Sequence, residues 1–249
     1  MIFNTYGNSH NPSLLLLHGL GVSHEIFLPL IELLQEQFHI IAVGIDGFLL
    51  GQHSHYTSID DQAKQAIAYV NEHHSGHLNM AYGLSLGGKI LSRMLELNGI
   101  AIDHAIMDAA PLLPLPRWLM NPLRYYQCFN VWTYYRFTGF WKWVFRSHYF
   151  DVLLDECKKV YPYSGRQAVL DGYKDVYTNR LESIANTNRY YWYGSKEAFV
   201  AKPQVAHLRS LNSNVTVEMF TGMNHGQLLV DYPEKVAQKF RAIGLGTGR

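Results

Sequence analysis

Residues 81–88 read Ala81-Tyr82-Gly83-Leu84-Ser85-Leu86-Gly87-Gly88. An apolar run, Leu78 to Tyr82, leads in, and a helix-compatible run, Lys89 to Leu97, leads out. A serine between a strand and a helix sits on a very tight turn. Glycines two before and two after it remove side chains that would collide across that turn. The turn pushes the Ser85 hydroxyl into open space at the carboxyl edge of a sheet, and it aims the Leu86 N–H at whatever the hydroxyl attacks. A glycine-rich turn that merely happens to hold a serine rarely meets both flanking conditions.

Serine is a weak nucleophile at neutral pH, so it needs a base, normally histidine, and that histidine needs an acid to orient it. Val215-Thr-Val-Glu-Met-Phe220 alternates like a strand and runs into Thr221-Gly-Met-Asn-His225-Gly226, which places His225 on a strand-end loop. Upstream, Tyr190-Tyr-Trp-Tyr193 ends in Gly194-Ser-Lys-Glu197, which places Glu197 on the preceding strand-end loop. Near the N-terminus, Leu14-Leu-Leu-Leu17 leads into His18-Gly19-Leu20-Gly21, where Leu20 offers a further backbone N–H.

With these pieces in view, the chain resembles the α/β-hydrolase family. The matching parts are the His18-Gly19 loop, the Ser85 turn, the Gly194-x-x-Glu197 loop and the Gly222-x-x-His225-Gly226 loop, spread from about residue 2 to 243. The resemblance implies a Ser85–His225–Glu197 triad with the Leu20 and Leu86 N–H groups as oxyanion hole. The acid of the family is more often aspartate, and some members carry it one strand earlier. Asp108, after the apolar run Ala105-Ile-Met107, therefore stands as a rival to Glu197.

Short apolar runs separated by helical periods indicate βαβ units and a parallel sheet. Strands are expected at Leu14–Leu17, Ile40–Ile45, Leu78–Tyr82, Ala105–Met107, Tyr190–Tyr193 and Val215–Phe220. Helices are expected at Glu25–Gln37, Ile59–Glu72, Leu86–Leu97, Ala198–Leu211 and Gln227–Ile243. The expected fold is α/β: a mostly parallel sheet flanked by helices, with a helical cap inserted. Residues 1–110 and 186–249 would form the core and residues 111–185 the cap, placed over Ser85.

The first part of that insert is unusual. Residues 111–150 hold fourteen aromatic side chains, the cations Arg117, Arg124, Arg136, Lys142 and Arg146, and no Asp or Glu. Trp118, Tyr125, Phe129, Trp132, Arg136 and Phe140 recur at helical spacing, while Pro122 and Gly139 limit helix length. Two readings stand: the aromatics pack the cap onto the core beneath a solvated cationic face, or they form an apolar tunnel with a basic rim. The latter would suit an acyl chain beside an anionic group, or a membrane surface.

Composition narrows the classes. A 249-residue chain with 48% apolar residues can bury a large core. A net charge of +1 argues against a general nucleic-acid binder. Cys128 and Cys157 cannot build a disulfide scaffold and are expected to be reduced structural thiols. Met1-Ile-Phe-Asn-Thr-Tyr6 has no basic flank or long apolar run, so a cytoplasmic location is expected and the Asn214-Val-Thr216 sequon is read as coincidence. No stretch approaches about 20 uncharged apolar residues, so no stable membrane span is expected, which leaves room for peripheral lipid contact. His53-x-His55 and His73-His74-x-x-His77 have ligand-like spacing without acidic or cysteine partners and read as solvated. Asp46 precedes the Ser85 turn and is expected to organise its own loop, as is His18.

The expected activity is that of a metal-free, cofactor-free serine hydrolase acting on a small-molecule carboxylic ester, with a preference for apolar acyl groups. The same triad would serve a thioesterase, acyltransferase, C–C hydrolase or cofactor-free peroxidase, and the fold alone would serve a non-catalytic ligand receptor.

Overall fold

The leucine run at 14–17 is buried on both sides, which is why it shows no alternation. In the computed structural model, which describes residues 1–184, 187–211 and 214–246, Leu15 and Leu17 join one apolar cluster and Leu14 and Leu16 the other. Ile41 and Val43 likewise oppose Ile40 and Ala42. Strands buried on both faces are the mark of a parallel sheet covered by helices.

In chain order the strands are β1 (Ile2–Tyr6), β2 (Ser13–Leu17), β3 (His39–Gly44), β4 (His77–Leu84), β5 (Ala101–Asp108), β6 (Asn188–Gly194) and β7 (Val215–Phe220). They form one seven-stranded sheet in the order β1-β3-β2-β4-β5-β6-β7. β1 runs antiparallel to β3, and the other pairings are parallel. The helices are α1 (Leu28–Leu34), α2 (Ile59–His73), α3 (Leu86–Leu97), α4 (Arg117–Arg136), α5 (Thr138–Phe145), α6 (His148–Thr178), α7 (Ala198–Leu211), α8 (Gln227–Asp231) and α9 (Pro233–Gly244). Leu30, Ile31 and Leu34 of α1 and Val236 and Phe240 of α9 seal one face of the sheet. Ala63 and Val70 of α2, Ile90 and Met94 of α3, and Leu208 of α7 seal the other.

Three differences from the sequence reading have local causes. The helix expected at Glu25–Gln37 begins as a 3-10 turn, His24–Phe27, and becomes α1 only where Pro29 sits in the first turn. The helix expected at Gln227–Ile243 breaks at Tyr232, held at φ −140°, ψ 54° by the proline that follows. Edge strand β1 was not expected at all; its half-exposed residues carry no apolar run.

Helices α4–α6 occupy the connection between β5 and β6. The insert was expected over 111–185, and its end there lies outside the described residues. Gly165, at φ 64°, ψ −175°, bends α6 into two helical arms. Cys128 and Val131 of α4 and Cys157, Val160 and Val169 of α6 join the core cluster, so the insert is packed onto the sheet domain. Both cysteines are buried and free. The stripe Trp118, Tyr125, Phe129 and Trp132 does not pack inward: these rings stand on the outside of α4. That corrects the reading in which they fasten the insert to the core.

Candidate active site

Ser85 links β4 to α3 at φ 54°, ψ −110°, a conformation that L residues rarely adopt. The two flanking glycines are required by space. A Cβ on Gly83 would lie 2.4 Å from the Gly87 carbonyl oxygen, and one on Gly87 would lie 2.1 Å from that of Leu17. The turn is held by the Ser85 N–H, which donates to the Asp108 carbonyl at 2.8 Å, and by the Lys89 N–H, which donates to the Ser85 carbonyl at 3.0 Å. Leu86 is the first residue of α3, where backbone N–H groups lack an intrahelical acceptor and the helix dipole favours negative charge.

The loop after β2 runs beside this turn. A Cβ on Gly19 would stand 3.6 Å from the Ser85 Cβ, and the Leu20 side chain packs against Gly172 of α6. His18 braces the loop. The Ile45 N–H donates to its Nε2 at 3.1 Å, so Nδ1 carries the proton and donates to the Gly19 carbonyl at 2.8 Å. Burial lowers its pKa to about 4, so the ring is neutral at pH 7 and acts as a structural brace. Asp46, in the loop after β3, accepts from Gln65 at 3.1 Å, and its own N–H donates to Gln62 at 3.2 Å, tying that loop to α2.

His225 and Glu197 meet at the ends of β7 and β6. His225 Nδ1 lies 2.6 Å from Glu197 Oε2, and Glu197 Oε1 accepts from the Gly194 N–H at 3.2 Å. Shielding from bulk water would lower the His225 pKa, but the hydrogen bond and charge of Glu197, with the charge of Asp108, raise it above the ordinary value. The two loops approach closely because position 194 has no side chain: a Cβ there would fall 2.4 Å from the Met223 carbonyl oxygen. The Lys196 N–H donates to that same carbonyl at 3.1 Å, and the Gly222 N–H donates to Ser195 Oγ at 2.8 Å.

Asp108 is buried and takes a different partner. Tyr82 donates its hydroxyl to Asp108 Oδ2 at 2.7 Å, and burial raises the carboxyl pKa to about 7. The histidine therefore has Glu197 as its carboxylate partner, with Asp108 close enough to be felt as charge.

Ser85, His225 and Glu197 line one cavity of about 590 Å³. Its remaining wall is largely apolar, with Leu115, Leu119 and Leu123 from the insert and Tyr173, Val176 and Tyr177 from α6. None of the fourteen aromatics of residues 111–150 lines it, and among the described residues neither does any Lys or Arg, so the expected aromatic tunnel with a basic rim is not what the structure builds. Its wall on α4 is largely aliphatic, while its aromatic rings come from Tyr173 and Tyr177 of α6, Tyr191 of β6 and Phe199 of α7.

Two positioning contacts escaped the sequence reading. Tyr149 of α6 donates its hydroxyl to the His225 carbonyl at 2.6 Å, coupling the insert to the histidine loop across 76 residues. No local signal marks such a contact. The role of Gly194 was open to inference from its place before Glu197, but the close approach it permits appears only in three dimensions. Among the described residues, no group of three or more His, Cys, Asp or Glu side chains is arranged to hold a metal ion. His53 instead contacts the Tyr163 carbonyl, and His77 pairs with Asp103.

A family model described as alpha/beta hydrolase fold matches residues 12–199. Among solved structures, the chain is similar to a putative alpha/beta hydrolase family protein from Desulfitobacterium hafniense, at 18% identity and TM-score 0.80, covering 97% of this chain and 99% of that one. It is also similar to MenH from S. aureus, at 14% identity and TM-score 0.75, covering 97% of each chain. A thermophilic esterase from Thermogutta terrifontis aligns at 16% identity and TM-score 0.72, covering 96% of this chain and 91% of that one. No curated protein sequence matches.

Proposed function

The chain belongs to the alpha/beta hydrolase fold family, and we propose that it is a serine hydrolase that cleaves carboxylic esters bearing apolar acyl groups. The observation that carries this reading is the convergence of Ser85, on its strained turn, with the His225–Glu197 pair in one apolar cavity. An esterase among the structural neighbours fits the reading. A pure ligand receptor has no need of a nucleophile, a base and an acid in one place.

In this mechanism the His225 Nδ1–H is held by Glu197, which leaves Nε2 as the basic nitrogen. Nε2 takes the Ser85 proton as Oγ bonds to the ester carbonyl carbon, and Glu197 stabilises the imidazolium that forms. The carbonyl oxygen becomes an oxyanion facing the Leu20 and Leu86 N–H groups, each donor typically worth about 3 kcal/mol. When the tetrahedral centre collapses, the C–O bond to the alcohol breaks and His225 returns the proton to the leaving oxygen. Water, deprotonated by the same Nε2, then attacks the acyl-enzyme and releases the acid and free Ser85. In this scheme α4–α6 act as a cap that shields the acyl group from water.

Fluorophosphonate labelling tests the reading. Native protein should label at Ser85 and hydrolyse p-nitrophenyl esters, and Ser85→Ala should do neither while keeping its fold. Stoichiometric labelling of Ser85→Ala at another residue would overturn the assignment.

A further inference from the structure

The rings that do not pack inward form a surface of their own. On α4, Trp118, Tyr125, Phe129 and Trp132 follow one outward line at i, i+7, i+11 and i+14, and on α5 Phe140 and Trp143 also face outward. Trp118 is 76% exposed, Phe129 58%, Phe140 56% and Trp143 64%. Several of the rings are close neighbours: between ring centres, Phe129 lies 5.7 Å from Trp132, Trp132 6.0 Å from Phe137, and Phe140 6.2 Å from Trp143. Contiguous exposed apolar surface of this kind marks an interaction site, whereas single exposed apolar residues do not.

Charge selects the occupant. Residues 111–150 contain five cations and no carboxylate. Lys142 and Arg124 are paired with Asp155 and Asp171 of α6. Arg117, Arg136 and Arg146 have no carboxylate in ion-pair reach among the described residues. The Arg136 guanidinium lies 5.4 Å from the Phe137 ring centre and that of Arg146 5.5 Å from the Trp143 ring centre, so each cation stands at the edge of the aromatic surface. Two copies meeting through this face would set these cations against one another with no acid in the segment to separate them.

We propose that the outward face of α4 and α5 docks on an anionic phospholipid bilayer, its aromatic rings entering the interface and its arginines meeting the head groups. Trp and Tyr combine an apolar body with a polar tip and settle at the level of the head groups, and arginine can bury its stem while its charge stays wet. No helix among the described residues is long and apolar enough to cross a membrane, so the contact is peripheral. Helix α4 carries part of the cavity wall as well as the docking face. Leu119, beside Trp118, lines the cavity, and Phe199 lines it while 81% exposed, which places Phe199 at the mouth. The docking contact does not depend on the hydrolase reading.

Vesicle flotation of the native protein decides the matter. Binding should be strong on vesicles of phosphatidylcholine mixed with phosphatidylglycerol, absent on phosphatidylcholine alone, and weakened by salt. Arg136→Gln and Arg146→Gln, both on the surface, should each weaken it by about fivefold. Phe140→Ser with Trp143→Ser should abolish it at any salt concentration. Failure to bind anionic vesicles, or equal binding to neutral ones, would overturn the proposal. So would a native dimer in sedimentation equilibrium that Phe140→Ser with Trp143→Ser converts to monomer, since the face would then belong to a second copy.

Discussion

Glu197 Oε2 and His225 Nδ1 lie 2.6 Å apart although 28 residues separate them in sequence. The contact follows from topology: β6 and β7 are parallel neighbours, paired from Arg189 with Val215 to Gly194 with Phe220, so their carboxyl-end loops emerge side by side. Asp108, at the end of β5, faces the same region, but its Oδ2 accepts from the Tyr82 hydroxyl.

That difference between the two carboxylates predicts opposite mutational outcomes. Glu197→Gln should lower kcat by about 10³–10⁴, because the amide no longer favours the tautomer with a basic Nε2. Asp108→Asn keeps an acceptor for the Tyr82 hydroxyl and removes a carboxyl that burial already makes costly to ionise, so turnover should change by less than about tenfold. Steady-state kinetics on one ester settle it. A dead Asp108→Asn enzyme beside a near-normal Glu197→Gln enzyme would reverse the two roles.

The His225 environment predicts the pH profile. The base works only when Nε2 is unprotonated, and Glu197 raises the ring pKa above 6.5. The acid limb of kcat/KM should therefore lie above pH 6.5 and fall tenfold per pH unit below it. Glu197→Gln should move the limb of the residual activity downward, because the carboxylate charge and its charge-assisted hydrogen bond to the imidazolium are lost. Burial raises the Asp108 pKa to about 7, so the same profile of Asp108→Asn is the control. A limb that follows Asp108 would refute the assignment to His225.

Much of this site was legible because its signals are local. The Ser85 turn, the His18-Gly19 loop and the bounds of β7 are each written within a few residues, and the leucine run of β2 declares burial on both faces. The break at Tyr232 was also readable, since Pro233 restrains the residue before it. Tyr149, by contrast, reaches the His225 carbonyl across 76 residues of chain. The stripe from Trp118 to Trp132 shows what periodicity leaves out: helical spacing reveals that rings share a face, while the direction of that face is fixed by what the rest of the helix packs against. Here Cys128 and Val131 turn inward, which leaves the rings outside.

His18 predicts a stability effect with a defined sign. Its folded pKa is lowered to about 4, against 6.5 in the unfolded chain. Its contribution is thus fully present above about pH 6.5 and is lost as pH falls toward 4, where the unfolded state takes up a proton that the folded brace excludes. At about 1.4 kcal/mol per unit, the shift amounts to roughly 3 kcal/mol. His18→Gln retains an acceptor for the Ile45 N–H but does not titrate. Urea unfolding of both proteins at pH 7 and pH 4 should show the native advantage shrinking by up to that amount. An advantage independent of pH would mean that the ring is not held neutral.

The cavity wall predicts the acyl preference. Leu115, Leu119 and Leu123 present aliphatic surface near Ser85, and no Lys or Arg among the described residues lines the space. Each methylene of an acyl chain laid against such a wall gains at most about 0.8 kcal/mol, or roughly fourfold in kcat/KM. Esters from acetyl to hexanoyl should therefore improve stepwise, and the gain should stop where the chain outgrows about 590 Å³ shared with the leaving group. Leu123→Trp fills part of the wall and should depress hexanoyl turnover while sparing acetyl. The comparison separates burial of the acyl chain from general damage, which would lower both. A steady decline from acetyl onward in the native enzyme would show that the acyl group does not lie against these leucines.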